Sequence, residues 1–115
     1  MTPFSKFLKS HRKRTGLLQK QIALTLGVSP AYVCCWETGT KPPPCNRQLR
    51  TLADVLRLDE REFRELSQLA EQSRPTLRLP VDTPEAGYQL AHRLVARLPA
   101  MSERQIFALS SVLEL

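Results

Sequence analysis

The sequence predicts an all-α protein, with five helices in its first part and a helical hairpin at its C-terminus. Apolar residues recur at intervals of three and four along the chain, as they do in helices that bury one face. Capping residues and helix-breaking glycine or proline separate these periodic segments, as at Ser29-Pro30 and Gly39. An apolar content of 42% is ordinary for a folded protein and argues against extended disorder.

The first five helices are predicted from their ends as well as from their period. Gly16, Gly27 and Gly39 end the first three, because glycine tolerates the positive φ of a helix C-terminus. Three consecutive prolines require a loop at Thr40–Cys45, and Asp59 is a good cap for the fifth helix. The predicted helices run over Phe4–Arg14, Gln19–Leu26, Pro30–Thr38, Asn46–Leu56 and from Asp59 to about Ser73. His11 shares the helical spacing of the first helix and is expected at the surface or at the boundary of the core. The predicted core-facing residues are Phe4, Phe7, Leu8, Ile22, Ala23, Leu26, Val28, Val33, Trp36, Leu49, Leu52, Ala53, Leu56, Phe63, Leu66, Leu69 and Ala70.

The chain is expected to divide into a domain at residues 1–73, a linker at 74–82 and a helical hairpin at 83–115. The linker contains two prolines and the alternation Leu77-Arg78-Leu79, which would also fit one short strand. The hairpin helices are too short to hold a core of their own. We therefore expect the hairpin to be the dimerisation element, and the alternative is that it packs within one chain.

Local residues define the two hairpin helices. Thr83 is the predicted cap of the first, with Pro84 at its first position, and Pro99 ends that helix. Ser102 and Gln105 form a capping box at the start of the second. Both helices carry apolar residues at helical spacing, so each is expected to present one apolar face.

The net positive charge of the chain, +6 overall, comes entirely from its first half. Residues 1–58 carry ten Lys and Arg against Glu37 and Asp54, whereas residues 59–115 carry seven Arg against nine acids. This asymmetry indicates a polyanion-binding module joined to a module with another role, although a solvated basic surface would look the same. No long apolar run and no apolar leader is present, so we expect neither a membrane span nor export. Three cysteines, two of them adjacent, fit a reducing cytoplasm.

The segment Gln19–Gly39 has the residues that a helix-turn-helix needs. Ala23 is small where two helices cross, Gly27 permits a sharp turn, and Trp36 anchors the second helix. The segment resembles the lambda-repressor-like (Xre/Cro-type) helix-turn-helix family. The matching positions are Gln19, Ile22, Ala23, Gly27, Val28, Ser29, Val33, Trp36, Glu37, Gly39, Pro43, Leu49, Leu52, Ala53 and Leu56. The resemblance covers about residues 4–70 and implies a five-helix lambda-repressor-like DNA-binding domain.

The resemblance implies roles for individual residues. Gln19, at a helix N-terminus, matches a residue that holds a backbone phosphate. Arg12 and Glu37 match a partly buried ion pair that ties the first helix to the third, and two independent surface charges are the alternative. The outward residues of the recognition helix are Ser29, Pro30, Ala31, Cys34 and Cys35. Thr38, Thr40 and Lys41 are expected beside the DNA backbone, and Lys20, Arg47 and Arg50 are candidates for further phosphate contacts.

The outward face of the recognition helix lacks the arginine, glutamine and asparagine that form bidentate hydrogen bonds with bases. Ala31 and the two thiols can contact a thymine methyl group, and Ser29 can form one hydrogen bond. We therefore expect recognition to rely on DNA shape, thymine methyl groups and phosphates.

The sequence predicts no enzyme, no metal site and no cofactor. Cys34, Cys35 and Cys45 lack the spacing of zinc ligands, even with His11. We interpret the thiols as small residues near DNA, with a redox switch as the alternative. Neither His11 nor His92 has a nearby nucleophile in a catalytic pattern.

These observations predict a sequence-specific transcriptional regulator, more often a repressor, which binds double-stranded DNA as a homodimer at an inverted repeat. The basic first half favours this function. The alternative is an antitoxin-type or adaptor protein whose main role is to bind another protein through the hairpin, and the sparse recognition face favours that alternative.

Overall fold

The computed structural model describes residues 1–115, and every regular element in it is a helix. The predicted all-α class is therefore confirmed, and residues 74–82 form no strand. The elements are α1 (Pro3–Thr15), α2 (Gln19–Leu26), α3 (Pro30–Thr38), α4 (Asn46–Val55), α5 (Glu60–Gln72), α6 (Glu85–Arg97), a 3₁₀ turn (Leu98–Ala100) and α7 (Glu103–Val112). The chain forms two compact units, Met1–Leu77 and Arg78–Leu115. None of the helices is long and apolar enough to cross a membrane.

The core of the first unit is built from one face of each of the helices α1 to α5. Trp36 and Phe4 are 1% exposed and Leu8 is fully buried, so the largest side chains lie at its centre. Most of the predicted core-facing residues are buried, but Leu26, Val28, Phe63 and Leu69 are half-buried at the edge of the core. His11 is half-buried at the boundary of the core, as expected, and its ring stacks on Phe7 with 4.0 Å between the ring centroids.

Hydrogen bonds fix the start of α1 against the end of α5. The Thr2 hydroxyl accepts the Ser5 N–H at 3.1 Å, and the Ser5 hydroxyl accepts the Thr2 N–H at 2.8 Å. The next residue, Phe4, donates its N–H to the Ser73 hydroxyl at 2.9 Å. A backbone donor that would otherwise be unsatisfied at the helix N-terminus is thus paired by a residue from the far end of the unit.

The second unit consists of α6, the 3₁₀ turn and α7, and no residue in it is buried. The predicted capping box of α7 is confirmed, with the Ser102 N–H donating to Gln105 Oε1 at 2.9 Å. Helix α6 ends at Arg97, and Pro99 lies within the 3₁₀ turn that follows it. The large apolar side chains exposed on these elements are Tyr88, Leu90, Leu94, Val95, Leu98, Ile106, Phe107, Leu109 and Val112.

The predicted cap of α6 is wrong by one residue. Pro84 rather than Thr83 is the N-cap, and its carbonyl accepts the N–H groups of Gly87 at 2.9 Å and Tyr88 at 3.2 Å. The Thr83 hydroxyl donates to the Pro80 carbonyl at 2.7 Å, because the turn before the helix brings that oxygen within reach. Helix α6 therefore begins without a side-chain cap.

Candidate nucleic-acid interface

Helices α2 and α3, joined by the turn at Gly27, form a helix-turn-helix. Gly27 has a φ of +72°, a conformation that glycine adopts without steric cost. On α3, Val33 and Trp36 are buried in the core, so the opposite face of the helix is turned to solvent. That face carries the predicted base-contacting residues: Ser29, Pro30, Ala31 and Cys34 are exposed, and Cys35 is half-buried.

The start of α3 is fixed by its own residues. The Ser29 hydroxyl oxygen accepts the Tyr32 N–H at 3.2 Å, and Pro30 occupies the first position, where a missing N–H costs nothing. Capping uses the oxygen of Ser29 and leaves its O–H free to donate. A hydrogen bond from Ser29 to a base is therefore compatible with the cap.

A buried ionic network joins α1, α2 and α3. Arg12 binds Glu37 through two nitrogens, Nε to Oε2 and Nη2 to Oε1, the second at 3.0 Å. Arg12 Nη1 also donates to the Leu17 carbonyl at 3.0 Å, and Gln19 Nε2 donates to Glu37 Oε1 at 3.1 Å. The hydrogen bond with Glu37 raises the pKa of Arg12 above its ordinary value, so the guanidinium stays charged. With Glu37 only 3% exposed, this network fixes the recognition helix to the rest of the unit.

The network also changes what Gln19 can offer to DNA. Its side-chain amide is bound to Glu37, whereas its backbone N–H lies in the first turn of α2, where helix N–H groups have no partner within the helix. The preceding N–H, that of Leu18, donates to Gln21 Oε1 at 2.7 Å. The N-terminus of α2 therefore presents backbone N–H donors and the positive end of the helix dipole, rather than a free Gln19 side chain.

The loop between α3 and α4 is held in place by the end of α5. The guanidinium of Arg74 donates to the carbonyl oxygens of Pro43 and Pro44, each at 3.1 Å. Both prolines are buried, and neither has an N–H with which to hold the loop. At the other end of the loop, the hydroxyls of Thr38 and Thr40 lie 3.1 Å apart, and both residues are exposed.

Tyr32 is an exposed residue of α3 to which the sequence reasoning assigned no role. Its ring meets Trp36 edge-on, with 5.1 Å between the centroids, and Lys41 Nζ lies 5.4 Å from its centroid. The spacing of Tyr32 and Trp36, four residues apart on one helix, predicts this contact. The approach of Lys41 depends on the path of the loop and leaves no local pattern in the sequence.

The remaining basic candidates differ in whether their charged groups already have partners within the protein. Lys20 and Arg47 are exposed, and Arg47 lies in the first turn of α4. Arg50 is less available, because its guanidinium lies 3.8 Å from the ring centroid of Phe63 and 3.4 Å from a carboxylate oxygen of Glu60. Of the two arginines, Arg47 has the guanidinium with no intramolecular partner.

A comparison with protein families agrees with this geometry. A family model described as a helix-turn-helix domain matches residues 3–66, which span α1 to the middle of α5. The chain belongs to this helix-turn-helix family. No curated protein matches it significantly, and neither does any solved structure. The first unit accordingly contains a helix-turn-helix domain, the kind of domain that DNA-binding proteins use.

The thiols of the helix-turn-helix domain are all free. Cys34 and Cys45 are exposed and Cys35 is half-buried. Cys45 Sγ lies 3.7 Å from Gln48 Oε1, at the start of α4. No three His, Cys, Asp or Glu side chains are grouped as metal ligands. Cys34 is the thiol most directly presented by the recognition helix, since it shares the exposed face of α3 with Ala31.

Proposed function

We propose that this protein is a sequence-specific transcriptional regulator of the lambda-repressor-like (Xre/Cro) type, which represses by occupying an inverted-repeat operator as a homodimer. The observation that supports this proposal best is the exposed face of α3, which the Arg12–Glu37–Gln19 network holds outward from a buried core. A helix held in this way can dock in the major groove without rearranging.

The affinity for DNA, in this proposal, comes mainly from contacts with backbone phosphates. The first half of the chain carries the net positive charge, and neutralising DNA phosphates releases counterions. The backbone N–H of Gln19 faces one phosphate, and the hydroxyls of Thr38 and Thr40 lie beside the chain that leaves α3. The proposed phosphate-contacting residues are Gln19, Lys20, Thr38, Thr40, Lys41 and Arg47.

Specificity is proposed to come from a face of small side chains, formed by Ser29, Pro30, Ala31, Cys34 and Cys35. Such a face approaches the bases closely and contacts thymine methyl groups, but it offers few hydrogen bonds. Sequence-dependent DNA shape supplies the rest of the discrimination. Free thiols on this face suit a protein that works in a reducing cytoplasm.

Residues 83–115 are proposed as the dimerisation element, following a domain at 1–73 and a linker at 74–82. The apolar side chains of α6 and α7 are exposed, and a unit with no buried residue lacks a core of its own. The charges of α6 are complementary to a second copy, because Glu85 lies in its first turn and Arg97 in its last. Antiparallel pairing of two α6 helices would place each Glu85 near Arg97 of the other chain.

A salt titration tests DNA binding directly. Binding to a random duplex should weaken steeply with salt, with a log–log slope of about −0.9 for each phosphate contacted. Arg47→Gln should reduce the magnitude of the slope by about 1, whereas Lys6→Gln, on α1, should leave it nearly unchanged. A slope near zero for the unmodified protein would contradict the proposal. Selection of bound DNA from a random pool then reports the operator, its symmetry and its half-site spacing.

A second candidate function is an antitoxin-type or adaptor protein that binds another protein through residues 83–115. The sparse polar face of α3 and the exposed apolar faces of α6 and α7 favour it. Such a protein would bind random DNA weakly and with little salt dependence. The same titration therefore separates the two functions.

A further inference from the structure

The Tyr32 hydroxyl takes no part in the contacts described above. Its side chain is 39% exposed on α3, and its hydroxyl makes no hydrogen bond within the protein. Its ring is braced edge-on against Trp36, which is itself buried. An exposed tyrosine fixed in this way loses little conformational entropy when its hydroxyl binds a ligand.

Lys41 brings a positive charge to the same place. Its ammonium lies 5.4 Å from the centroid of the Tyr32 ring, close enough for a cation–π interaction, and it forms no salt bridge with a carboxylate. The pair therefore combines an O–H donor without a partner and a cation without a counterion. Together these two groups suit an anion that accepts a hydrogen bond and carries a charge.

We propose that Tyr32 and Lys41 bind one phosphate of the DNA backbone together, with the Tyr32 hydroxyl donating a hydrogen bond and the Lys41 ammonium supplying the charge. This inference rests on the proposed DNA-binding function and adds a residue to it. A lysine ammonium acts as a point charge and suits a phosphate better than the planar edge of a base. The ring bridges the first turn of α3 and the loop after it, so the two elements contact the same phosphate.

The first test compares two variants that each lose one exposed hydroxyl, at Tyr32 and at Ser10. Tyr32→Phe keeps the ring, its packing on Trp36 and the cation–π contact, and removes only the hydroxyl. We expect it to lower affinity for a selected operator about tenfold, the effect of losing a hydrogen bond to a charged group. Ser10→Ala, which removes an exposed hydroxyl from α1, should bind like the unmodified protein. Circular dichroism verifies that both variants are folded.

The second test asks whether the two residues share one phosphate. Lys41→Gln should reduce the magnitude of the salt slope by about 1, whereas Lys6→Gln should not. In a scan of operators with single methylphosphonate substitutions, one position in each half-site should weaken the unmodified protein most. The same position should weaken Tyr32→Phe and Lys41→Gln less, and the combined variant least. The combined variant should lose less affinity than the sum of the two single losses.

Three results would overturn the inference while leaving DNA binding intact. Affinity of Tyr32→Phe within twofold of the unmodified protein would remove the hydroxyl contact. Different sensitive phosphates for Tyr32 and Lys41, or fully additive losses, would show two separate contacts. A Tyr32→Phe loss that varies with the base pair under α3, with no sensitive phosphate, would assign the tyrosine to a base. Absence of salt-dependent binding by the unmodified protein would instead refute the proposed function itself.

Discussion

Single side chains determine how firmly the recognition helix is held, and the Arg12–Glu37 pair is the clearest case. Arg12→Ala leaves Glu37, which is 3% exposed, without its main partner. We expect the free energy of unfolding to fall by about 3 kcal/mol, because an uncompensated charge remains in a buried site. Urea unfolding at neutral pH measures the loss.

Arg14→Ala provides the matched control for this prediction. Arg14 also binds a carboxylate, that of Glu62 at 3.0 Å, but the Arg14 side chain is 57% exposed. Its removal should cost less than about 1 kcal/mol, because water screens the exposed guanidinium of Arg14. Equal losses for Arg12→Ala and Arg14→Ala would show that burial does not set the strength of the Arg12–Glu37 pair.

His11 is expected to make the stability of the first unit depend on pH. Burial, followed by the charge of Arg14, lowers the pKa of the imidazole below its ordinary value of 6.5, although Glu62 and Glu65 oppose the shift. The unfolded chain therefore binds a proton more readily than the folded one. The contribution of His11 to the free energy of unfolding is fully present above pH 6.5. It is lost as the pH falls through the lower pKa of His11 in the folded protein.

The measurement compares three proteins by urea unfolding between about pH 7.5 and about pH 5. His11→Gln should lose less stability over this range than the unmodified protein. His92→Gln, which changes an exposed histidine on α6, should keep the unmodified slope. Glu62 also has a lowered pKa, through its hydrogen bond to the Asp59 backbone, but its contribution is lost only below about pH 4.5. Parallel curves for all three proteins would exclude His11 as the source.

The side-chain contacts show where sequence reasoning stops. His11 lies at the boundary of the core, as its spacing from neighbours three and four residues away allowed one to predict. The engagement of Arg50 with Phe63 and of Arg74 with Pro43 and Pro44 depends on residues far along the chain. No local pattern specifies such partners, because they are set by how whole helices pack.

Helix ends, by contrast, are determined by local sequence, and the structure agrees with most of the predicted ends. Ser29, Asp59 and Ser102 cap their helices as predicted, because each cap needs only a backbone N–H three residues ahead. Thr83 is the exception. A competing acceptor, the Pro80 carbonyl, lies within reach of its hydroxyl, and the helix starts one residue later.

Gly39 should be the least replaceable of the glycines that end helices. Gly16 and Gly39 both have positive φ, 74° and 80°, so alanine at either position costs about 1 kcal/mol of backbone strain. At Gly39 a Cβ would also lie 3.2 Å from Thr2, whereas at Gly16 it would meet nothing within 4 Å. We expect Gly39→Ala to lower the free energy of unfolding by at least about 2 kcal/mol, roughly twice the loss for Gly16→Ala.

Thermal and urea unfolding of both glycine variants test this difference. Gly16→Ala is the control for strain alone, since the two positions share their backbone conformation. Because Gly39 ends the recognition helix, its alanine variant should also bind DNA more weakly. Equal destabilisation of the two variants would mean that the start of α1 moves aside without cost.

The chain as a whole divides its apolar residues between two uses. In the first unit they fill a core, and the helical period predicted nearly all of its members. In the second unit the same period yields faces that stay exposed. Periodicity identifies an apolar face but says nothing about what covers it. Whether residues 83–115 dimerise therefore remains a prediction that needs a measurement in solution.

A substitution on α6 of the full chain provides that measurement. Leu94→Glu places a charge among the apolar side chains of α6. Burying an unpaired charge in an interface is costly, so we expect this variant to dissociate the dimer. Sedimentation velocity should then show a monomer. Gln89→Glu adds the same charge at a polar position and should stay dimeric. The monomer should keep its unfolding transition, since every buried residue lies at or before Ser73. It should lose operator affinity, because a single module reads only a half-site. If Leu94→Glu sediments like Gln89→Glu, α6 does not join two chains, and the dimer contact must lie elsewhere.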